Sequence, residues 1–518
     1  MAALAWVGSF IPPDYDGGMN LQMAQNLASG AGPIRDFGGV QLFPWEVQTG
    51  GAYTFIASFL IKIFGASTFV YQLPNLIFLL VLAIAVSYAL RRWTVLRVIG
   101  PSTVLFAVPG LLDNAIRGYG EYVVAALVFT AIAMIAAAIT ARGPVLLATI
   151  ALVLLSISIT VKVVAMLAVP VLLVGLVGLA VVRTDVRRWK WLVALVGLLV
   201  PFAANELYRF LAIGSMQAYK TYWHEQFLQI GGQSGVTESG QVQLHATPRL
   251  GLLKTITGHL HILHGLTGIS AAVLCLVIVL PFGVLAALFV ARRSGWRDWL
   301  AKPGALLAIQ LATYSGGYLL WWLAITPTSK AWLRRIVIGL LALAFLYLVL
   351  VGMVTDRMRE PRTAVSPRRR SVGTIAWVLA GVCAFVVSLT GLSVARNQVL
   401  AVTAQTSART QAIEKLADQV KNLTAQGNHV YGDGWWSAPV VSLYANVPLG
   451  NLGATNICDP SMGFTDGKAY LVWDLNAQVG ASEKPQAVRV KFVEVPGTDT
   501  GYGGIWHIQL TPRAKCTT

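Results

Sequence analysis

Residues 145–190 read VLLATIALVLLSISITVKVVAMLAVPVLLVGLVGLAVVRTDVRRWK. Two apolar runs, at 144–161 and 163–182, fill most of this stretch, and Lys162 is the only charged residue between them. Each run has about the 20 residues that an α-helix needs to cross a ~30 Å hydrocarbon core. Basic residues then cluster between Arg183 and Lys190. The pattern predicts two transmembrane helices that lead into a cytoplasmic loop.

The whole chain has the composition of a membrane protein. Of its 518 residues, 56% are hydrophobic and only 12% are charged, whereas soluble domains carry about a quarter charged residues. A soluble enzyme, a secreted disulfide scaffold and a disordered protein are therefore excluded. Hydropathy predicts spans at residues 68–90, 98–112, 121–141, 144–161, 163–182, 190–213, 266–291, 304–325, 332–354 and 375–395.

The basic residues predict the orientation of these spans. Eighteen of the 39 Lys and Arg residues lie in five short loops that follow alternate spans, which makes those loops cytoplasmic. The net charge of +17 then reflects loops beside an anionic leaflet. Nucleic-acid binding is not expected, because no basic stripe or stacking module accompanies the charge. The outward segments are 1–67, 113–120, 214–265, 326–331 and 396–518.

The predicted spans and their orientation divide the chain into three parts: a first outward loop with juxtamembrane helices (1–67), a transmembrane domain (68–395) and an extracytoplasmic domain (396–518). In the last part we expect an amphipathic helix at 406–426 and strands at 469–475 and 487–495, which together predict a small α/β domain. The composition and the lack of organelle signals fit a multi-pass protein of a bacterial plasma membrane.

Two features of the outward parts leave alternatives open. The apolar run at 1–12 is too short to span. It is either the remnant of a truncated first helix, which we favour, or a stub at the outer interface. Cys458 and Cys516 both lie in the outward C-terminal part, where a disulfide between them is able to form.

Carboxylates at the outer membrane face are the first candidates for chemistry, because an ionisable residue there is costly and tends to be functional. Asp16 precedes Gly17-Gly18 and a short amphipathic helix, and either Asp14 or Asp16 is also placed to cap that helix. Asp113 and Glu121 bracket the second outward loop, with Arg117 between them. Glu121 opens a span and equally suits the dipole of that helix.

Several outward segments resemble known motifs. The first loop is similar to that of GT-C glycosyltransferases of the protein-mannosyltransferase and lipid A aminoarabinose-transferase group. Later segments resemble the same group in the same order. The family usually has a second acidic residue where this chain has Gly17, which leaves that neighbouring role open. The first-loop segments are YDGGMNLQMAQNL (15–27), RDFGG (35–39), PWEVQTGG (44–51) and AYTFIASFLIKIFG (52–65); the later ones are RGYGEYVVA (117–125), SITVKVVAMLAVP (158–170) and WWLAITPTSKAWLRRIVIGLLAL (321–343).

The resemblance implies a polytopic α-helical membrane protein with a GT-C-like fold and about 10–11 transmembrane helices. It further implies transfer of a hexose or pentose, with inversion, from a polyprenyl-phosphate carrier to a lipid, glycan or protein acceptor at the outer face. Asp16 matches the acidic residue that would act as base, and Glu121 would orient the acceptor or, less often, bind a metal.

Cationic residues would hold the phosphate of the lipid carrier. The resemblance assigns this role to Arg117, Lys162 and Arg335. Lys330 and Arg334 are further candidates. Each of them is also placed to snorkel from a helix end. One acidic residue per loop is a poor divalent-metal site, so no metal ligand is assigned and a divalent metal stays an open expectation.

Two other classes of function compete with the transferase: a lipid or polysaccharide transporter or flippase, and a non-catalytic GT-C relative. A transporter should carry ionisable residues or helix breaks near mid-span, and these spans are nearly free of charge. HLHILH (259–264) is expected on an amphipathic helix at the interface rather than at a metal, because its three histidines do not share one helical face. YKTYWHEQF (219–227) is expected in an aromatic belt.

Overall fold

The structure is a computed structural model of the chain. It describes residues 12–13, 15–35, 41–42, 51–106, 120–232, 252–267, 269–291, 295–326, 333–359, 408–432, 438–452, 455–474 and 490–511. Some side chains at the ends of these ranges, including that of Asp16, lie outside the description. So does the whole of the predicted span 375–395.

Helices follow one another through the first two thirds of the chain. A 3-10 turn (Val163–Ala168) precedes α7 and a π-helical turn (Trp321–Ile325) follows α14. The helices are α1 (Tyr15–Ser29), α2 (Gly51–Phe64), α3 (Thr68–Ala89), α4 (Thr94–Phe106), α5 (Glu121–Ala138), α6 (Pro144–Val161), α7 (Val169–Val182), α8 (Trp189–Ala194), α9 (Val196–Ile213), α10 (Met216–Gly232), α11 (Leu252–Thr267), α12 (Ala271–Val290), α13 (Trp296–Leu300), α14 (Pro303–Leu320) and α15 (Leu333–Arg359).

Seven helical segments of the described residues are long and apolar enough to cross a membrane. They coincide with seven predicted spans, which confirms the polytopic helical fold class. The predicted spans 98–112 and 304–325 correspond to α4 and α14, which do not meet both conditions within the described residues. The seven are Thr68–Ala89, Glu121–Ala138, Pro144–Val161, Val163–Val182, Trp189–Ile213, Ala271–Val290 and Arg335–Arg357.

Helix α5 is the centre of the helical domain. Its sequence, EYVVAALVFTAIAMIAAA, is apolar on every face, as is typical of a helix buried all round. Its small alanines let α3, α6, α14 and α15 pack against it. The outer helices present apolar side chains to the surroundings instead: only 11% of the apolar segment Ala271–Val290 is buried. Such a surface suits lipid, because large exposed apolar patches are rare on soluble monomers.

Arg183 closes the end of α5 that lies opposite Glu121. Its Nη1 donates hydrogen bonds to the carbonyl oxygens of Ala138, Ile139 and Ala141, at 3.1, 3.0 and 2.8 Å. A cation at a helix C-terminus is favoured by the helix dipole. The predicted cytoplasmic loops after α5 and α7 therefore share this end, and Glu121 lies at the other end, which we call the site end.

Sheets form at two places. In the first loop, β1 (Ile34–Arg35) and β2 (Gln41–Leu42) pair antiparallel. The C-terminal domain has five strands in the order β4-β3-β5-β7-β6, with β3 parallel to both β4 and β5, and β7 antiparallel to both β5 and β6. The strands are β3 (His429–Gly432), β4 (Gly450–Asn451), β5 (Ala469–Asp474), β6 (Val490–Glu494) and β7 (Gly503–Leu510).

Two helices complete this domain: α16 (residues 408–425) and α17 (Ala438–Ala445). The core joins Ile413 and Val420 of α16 to Val472 and Ile505 of the sheet. A small α/β domain was predicted here, and the structure has one. Cys458 is disulfide-bonded, while its predicted partner, Cys516, lies outside the described residues.

Helix α1 belongs to two cores at once. Leu21 packs into the core of the helical domain, and Met19 packs into that of the C-terminal domain. The amide of Gln22 donates a buried hydrogen bond to the carbonyl oxygen of Pro439 at 2.9 Å. At Gly18 an added Cβ would lie 3.1 Å from the Val440 side chain and 3.2 Å from the Pro439 backbone. Glycine therefore permits the close approach where α1 crosses α17.

We predict that Gly18→Leu destabilises the protein by about 1–3 kcal/mol, because the new side chain forces α1 away from α17. The matched control is Gly265→Leu on α11, where no atom lies within 4 Å of an added Cβ. There the better helix propensity of leucine should leave stability unchanged or slightly higher. Thermal unfolding of the purified protein measures both; equal unfolding temperatures for the two variants would contradict the close α1–α17 packing.

Candidate active site

A buried ion pair lies at the site end. Glu121 is the first residue of α5, and Lys162 is a single extended residue between α6 and the following 3-10 turn. Lys162 Nζ donates to Glu121 Oε1 at 2.5 Å, and the side chains are only 14% and 7% exposed, respectively. Because a buried charge is costly unless it is paired, the two residues hold the start of α5 against the end of α6.

Polar side chains from three other helices lie near this pair. The Tyr53 hydroxyl of α2 faces Asn75 of α3, and both residues are buried. Burial raises the pKa of Tyr53 well above its ordinary value, against a lowering by Asn75, and the negative charge of Glu121 raises it further. Tyr318 of α14, also buried, lies within electrostatic range of Glu121. Buried hydroxyl groups of α2 and α14 thus lie within electrostatic range of the pair.

Arg335 adds a second cation at this end. It is half-buried in the first turn of α15. One turn further along, Gly339 packs so closely on α14 that an added Cβ would lie 2.6 Å from the Cβ of Tyr318. Because Tyr318 neighbours Glu121, Arg335 lies in the same region as the ion pair. The site end thus carries two basic residues, Lys162, which pairs with Glu121, and Arg335 at the start of α15.

The π-helical turn Trp321–Ile325 lies between α14 and the segment that leads to Arg335. His259 of α11 packs on Trp322 of this turn, with ring centroids 4.4 Å apart. Both side chains are fully buried. His259 Nδ1 lies 2.7 Å from the carbonyl oxygen of Thr255 and donates to it. Since π-helical turns are rare and often occur at functional sites, this turn is itself a candidate functional feature, and His259 packs on it.

The interfacial placement predicted for the three histidines is therefore wrong for His259. His261 and His264 are exposed on the same helix, but helical spacing turns His259 inward towards Trp322. Burial lowers the pKa of His259 below its ordinary value, with the Thr255 hydrogen bond opposing the shift, so its ring is neutral. Within the described ranges, no three His, Cys, Asp or Glu residues are grouped so as to hold a metal ion.

A second buried charge, which the sequence analysis missed, lies on α9. Glu206 accepts hydrogen bonds from Arg209 at 2.6 Å, Tyr219 at 2.8 Å and Trp223 at 3.0 Å. The latter two belong to the segment predicted as an aromatic belt, and both donate a hydrogen bond to this carboxylate. The i,i+3 spacing of Glu206 and Arg209 was the signal available in the sequence. Tyr208 joins the cluster to α2, with its ring 5.4 Å from that of Phe55.

The other predicted site residues are less fully described. Asp16 lies on α1 and Arg334 on α15, but their side chains lie outside the description. Arg117 and Lys330 lie wholly outside the described residues. The structure thus joins Glu121 to Lys162 and places Arg335 in the same region.

No protein-family model matches the chain, and no curated protein sequence matches it. Solved structures do. The crystal structure of ArnT from Cupriavidus metallidurans bound to undecaprenyl phosphate superposes with a TM-score of 0.59 and 13% identity, over 98% of this chain and 96% of that one. Its apo form gives a TM-score of 0.54 and 14% identity, over 98% and 95%. The chain has the GT-C fold. This confirms the fold that the first-loop motifs implied.

The GT-C fold extends beyond one neighbour. A crystal structure of the Archaeoglobus fulgidus oligosaccharyltransferase in complex with Zn and sulfate superposes with a TM-score of 0.51 and 13% identity. That superposition covers 97% of this chain and 70% of the larger enzyme. Identities this low carry over the fold and not the substrate.

A double-mutant cycle tests the ion pair. Glu121→Gln or Lys162→Met alone should cost about 3–5 kcal/mol, since each leaves a buried charge without its partner. The double variant should cost less than either single change. The exposed pair of Asp466 and Lys468, 3.6 Å apart, is the matched control and should contribute about 0–1 kcal/mol. Chemical unfolding measures both cycles; additive costs for Glu121 and Lys162 would contradict the pairing.

Proposed function

We propose that the protein is an integral membrane glycosyltransferase of a bacterial plasma membrane. It transfers a hexose or pentose, with inversion, from a polyprenyl-phosphate carrier to an acceptor at the outer face. The observation that carries the proposal is the buried Glu121–Lys162 pair with Arg335 nearby, at one end of a GT-C helical domain. Binding of undecaprenyl phosphate by ArnT, which has this fold, supports a lipid-phosphate donor.

The cations supply what the leaving group needs. When the sugar is transferred, the bond from its anomeric carbon to the phosphate oxygen breaks, and negative charge grows on the lipid phosphate. Arg335 is well shaped to hold phosphate oxygens, and Lys162 acts as a point charge. Arg117, Lys330 and Arg334 are further candidates on sequence grounds. Glu121 holds the ammonium group of Lys162 in place through the ion pair, which makes it a positioning residue in this proposal.

The acceptor is activated on the side of the anomeric carbon opposite the leaving phosphate. Asp16 is the proposed base: its carboxylate takes the proton of the acceptor hydroxyl or amine as that group attacks the anomeric carbon. One displacement of this kind inverts the sugar. Its helix, α1, packs on both the helical domain and the C-terminal domain, so Asp16 belongs to the boundary between them. A divalent metal is not needed for this scheme, although one is compatible with it.

The sidedness follows from charge. Arg142, Arg183 and Lys190 belong to loops at the end of the helical domain opposite Glu121. By the positive-inside rule this charge distribution supports a cytoplasmic position for that end. In this proposal the site end and the C-terminal domain therefore face outward.

Donor binding tests the role of Arg335. Arg335→Met should weaken binding of undecaprenyl phosphate to the protein in lipid nanodiscs by roughly 10–100-fold, the usual value of a charge-assisted hydrogen bond. The control is Arg297→Met, an exposed arginine on α13 at the opposite end. Its affinity should equal that of the unaltered protein. Equal losses of affinity in both variants would contradict a direct contact of Arg335 with the donor phosphate and would indicate a general effect of positive charge.

Turnover tests the role of Asp16. With a panel of polyprenyl-phosphate sugars, Asp16→Asn should lower release of polyprenyl phosphate by about 10²–10⁴-fold, the usual contribution of a general base, while donor affinity is retained. The exposed Asp466 of the C-terminal domain provides the control, Asp466→Asn. Normal turnover by Asp16→Asn would remove Asp16 from the mechanism. Donor binding without turnover by the unaltered protein would instead favour the non-catalytic relative.

A further inference from the structure

A cavity of about 650 Å³ opens where α1, the start of α3 and the C-terminal domain meet. It lies at the site end, because α3 begins there. The mechanism outlined above does not use it. The residues that define its chemistry are Gln25, Phe69, Tyr71, Glu414, Tyr444 and Asn446.

Hydrogen bonds between elements hold the polar walls of this cavity in place. Gln25 Nε2 donates to Asn446 Oδ1 at 2.8 Å, and the Tyr71 hydroxyl donates to Gln25 Oε1 at 3.1 Å. The hydroxyls of Thr68 and Tyr444 lie 2.7 Å apart. Each amide has two N–H donors and two acceptor lone pairs, so both retain capacity for a ligand. The site is therefore preorganised, which lowers the entropic cost of binding.

The charge of the cavity disfavours anionic ligands. Among the described residues that line it there is no Lys or Arg, and Glu414 contributes a carboxylate. Glu414 is exposed and lies within electrostatic range of Tyr444. A phosphate or carboxylate group would be repelled here, whereas the hydroxyl groups of a neutral molecule can donate to Glu414 and accept from the amides.

Aromatic rings provide apolar faces beside these polar groups. Phe69 is 39% exposed at the cavity. The rings of Tyr71 and Tyr444 meet edge to face, with centroids 5.7 Å apart. A ligand that carries both hydroxyl groups and C–H faces, as a sugar ring does, matches such a wall, since binding sites combine apolar surface with a few placed polar groups.

The cavity also has a suitable position. Gln25 and Asp16 lie on the same helix nine residues apart, which is about 13 Å along the helix axis. Residues 17–24 of α1 are buried, so an oligosaccharide held in the cavity has to pass beside α1, over about this distance, to reach the proposed base.

We infer that this cavity is a subsite for a neutral glycan acceptor, which it holds by units remote from the reacting hydroxyl. That the bound glycan is the acceptor rests on the proposed function. That the cavity binds a glycan does not depend on it. It narrows the acceptor from lipid, glycan or protein to an uncharged oligosaccharide chain, free or lipid-linked. Donor and acceptor are then separated by charge, with cations beside Glu121 for the donor phosphate and amides, phenols and a carboxylate here for the acceptor.

The test is saturation-transfer NMR on the full-length protein in lipid nanodiscs, with neutral tetrasaccharides of glucose, mannose, galactose and arabinose. Phosphorylated and uronic-acid tetrasaccharides serve as anionic probes. Alkyl maltoside detergents must be absent, because their headgroup is itself a neutral glucan. At least one neutral tetrasaccharide should bind saturably, and the anionic probes should bind more weakly than their neutral counterparts.

Two variants locate the binding. Glu414→Gln and Phe69→Ala should each lower the affinity for that tetrasaccharide by roughly tenfold, as expected for one charge-assisted hydrogen bond or one lost aromatic face. Their controls are Glu494→Gln on β6 and Phe59→Ala on α2, both of which alter exposed side chains away from the cavity. The controls should stay within about twofold of the unaltered protein.

Undecaprenyl phosphate binding, measured on the same samples, separates this inference from the proposed function. If undecaprenyl phosphate binds but no neutral tetrasaccharide does, or if the anionic probes bind more tightly, the inference is overturned and the proposed function stands. Equal affinities in the variants and their controls overturn it as well. If a tetrasaccharide binds in the cavity but undecaprenyl phosphate does not bind at all, the glycan site stands and the transferase proposal fails.

Discussion

The buried ion pair between Glu121 and Lys162 is the constraint on which the rest of the site depends. Each charge would be costly alone at the end of an apolar helix, and electrostatic attraction is strong where water is largely excluded. The partners lie 41 residues apart in sequence, so they meet only when α5 and α6 run antiparallel at a matched height. The pair therefore sets the register of the central hairpin and, through Tyr318, relates α14 and α15 to it.

Helix α1 carries this arrangement from the helical domain to the C-terminal domain. It contributes Leu21 to one core and Met19 to the other, and Gly18 allows its close crossing of α17. The same helix bears the proposed base and, at Gln25, one wall of the cavity. A single short helix thus relates the cationic region of the helical domain to the neutral, aromatic region under the C-terminal domain, which is how a transferase of this design would bring unlike substrates together.

Much of the fold could be predicted from local patterns. The spans at 144–161 and 163–182 were found because length and hydropathy are properties of the segment itself. Glu121, Lys162 and Arg335 were singled out by motif and position, but their relation was not, since nothing in the sequence relates residues so far apart. His259 and Glu206 show the same limit: one was expected at an interface and the other was overlooked, because both acquire their role from a partner on another helix or turn.

By itself, the sequence determined that the chain is a polytopic helical membrane protein with a small α/β domain, and it supplied the prediction of an active site at one end of the helices. These are consequences of hydropathy, charge and local propensity, which each segment expresses independently. Only the tertiary structure decided that Lys162 pairs with Glu121, that His259 packs on Trp322, and that Gln25 and Asn446 form one wall of a cavity. The reason is physical: burial, pairing and cavity shape depend on which distant segments exclude water from one another.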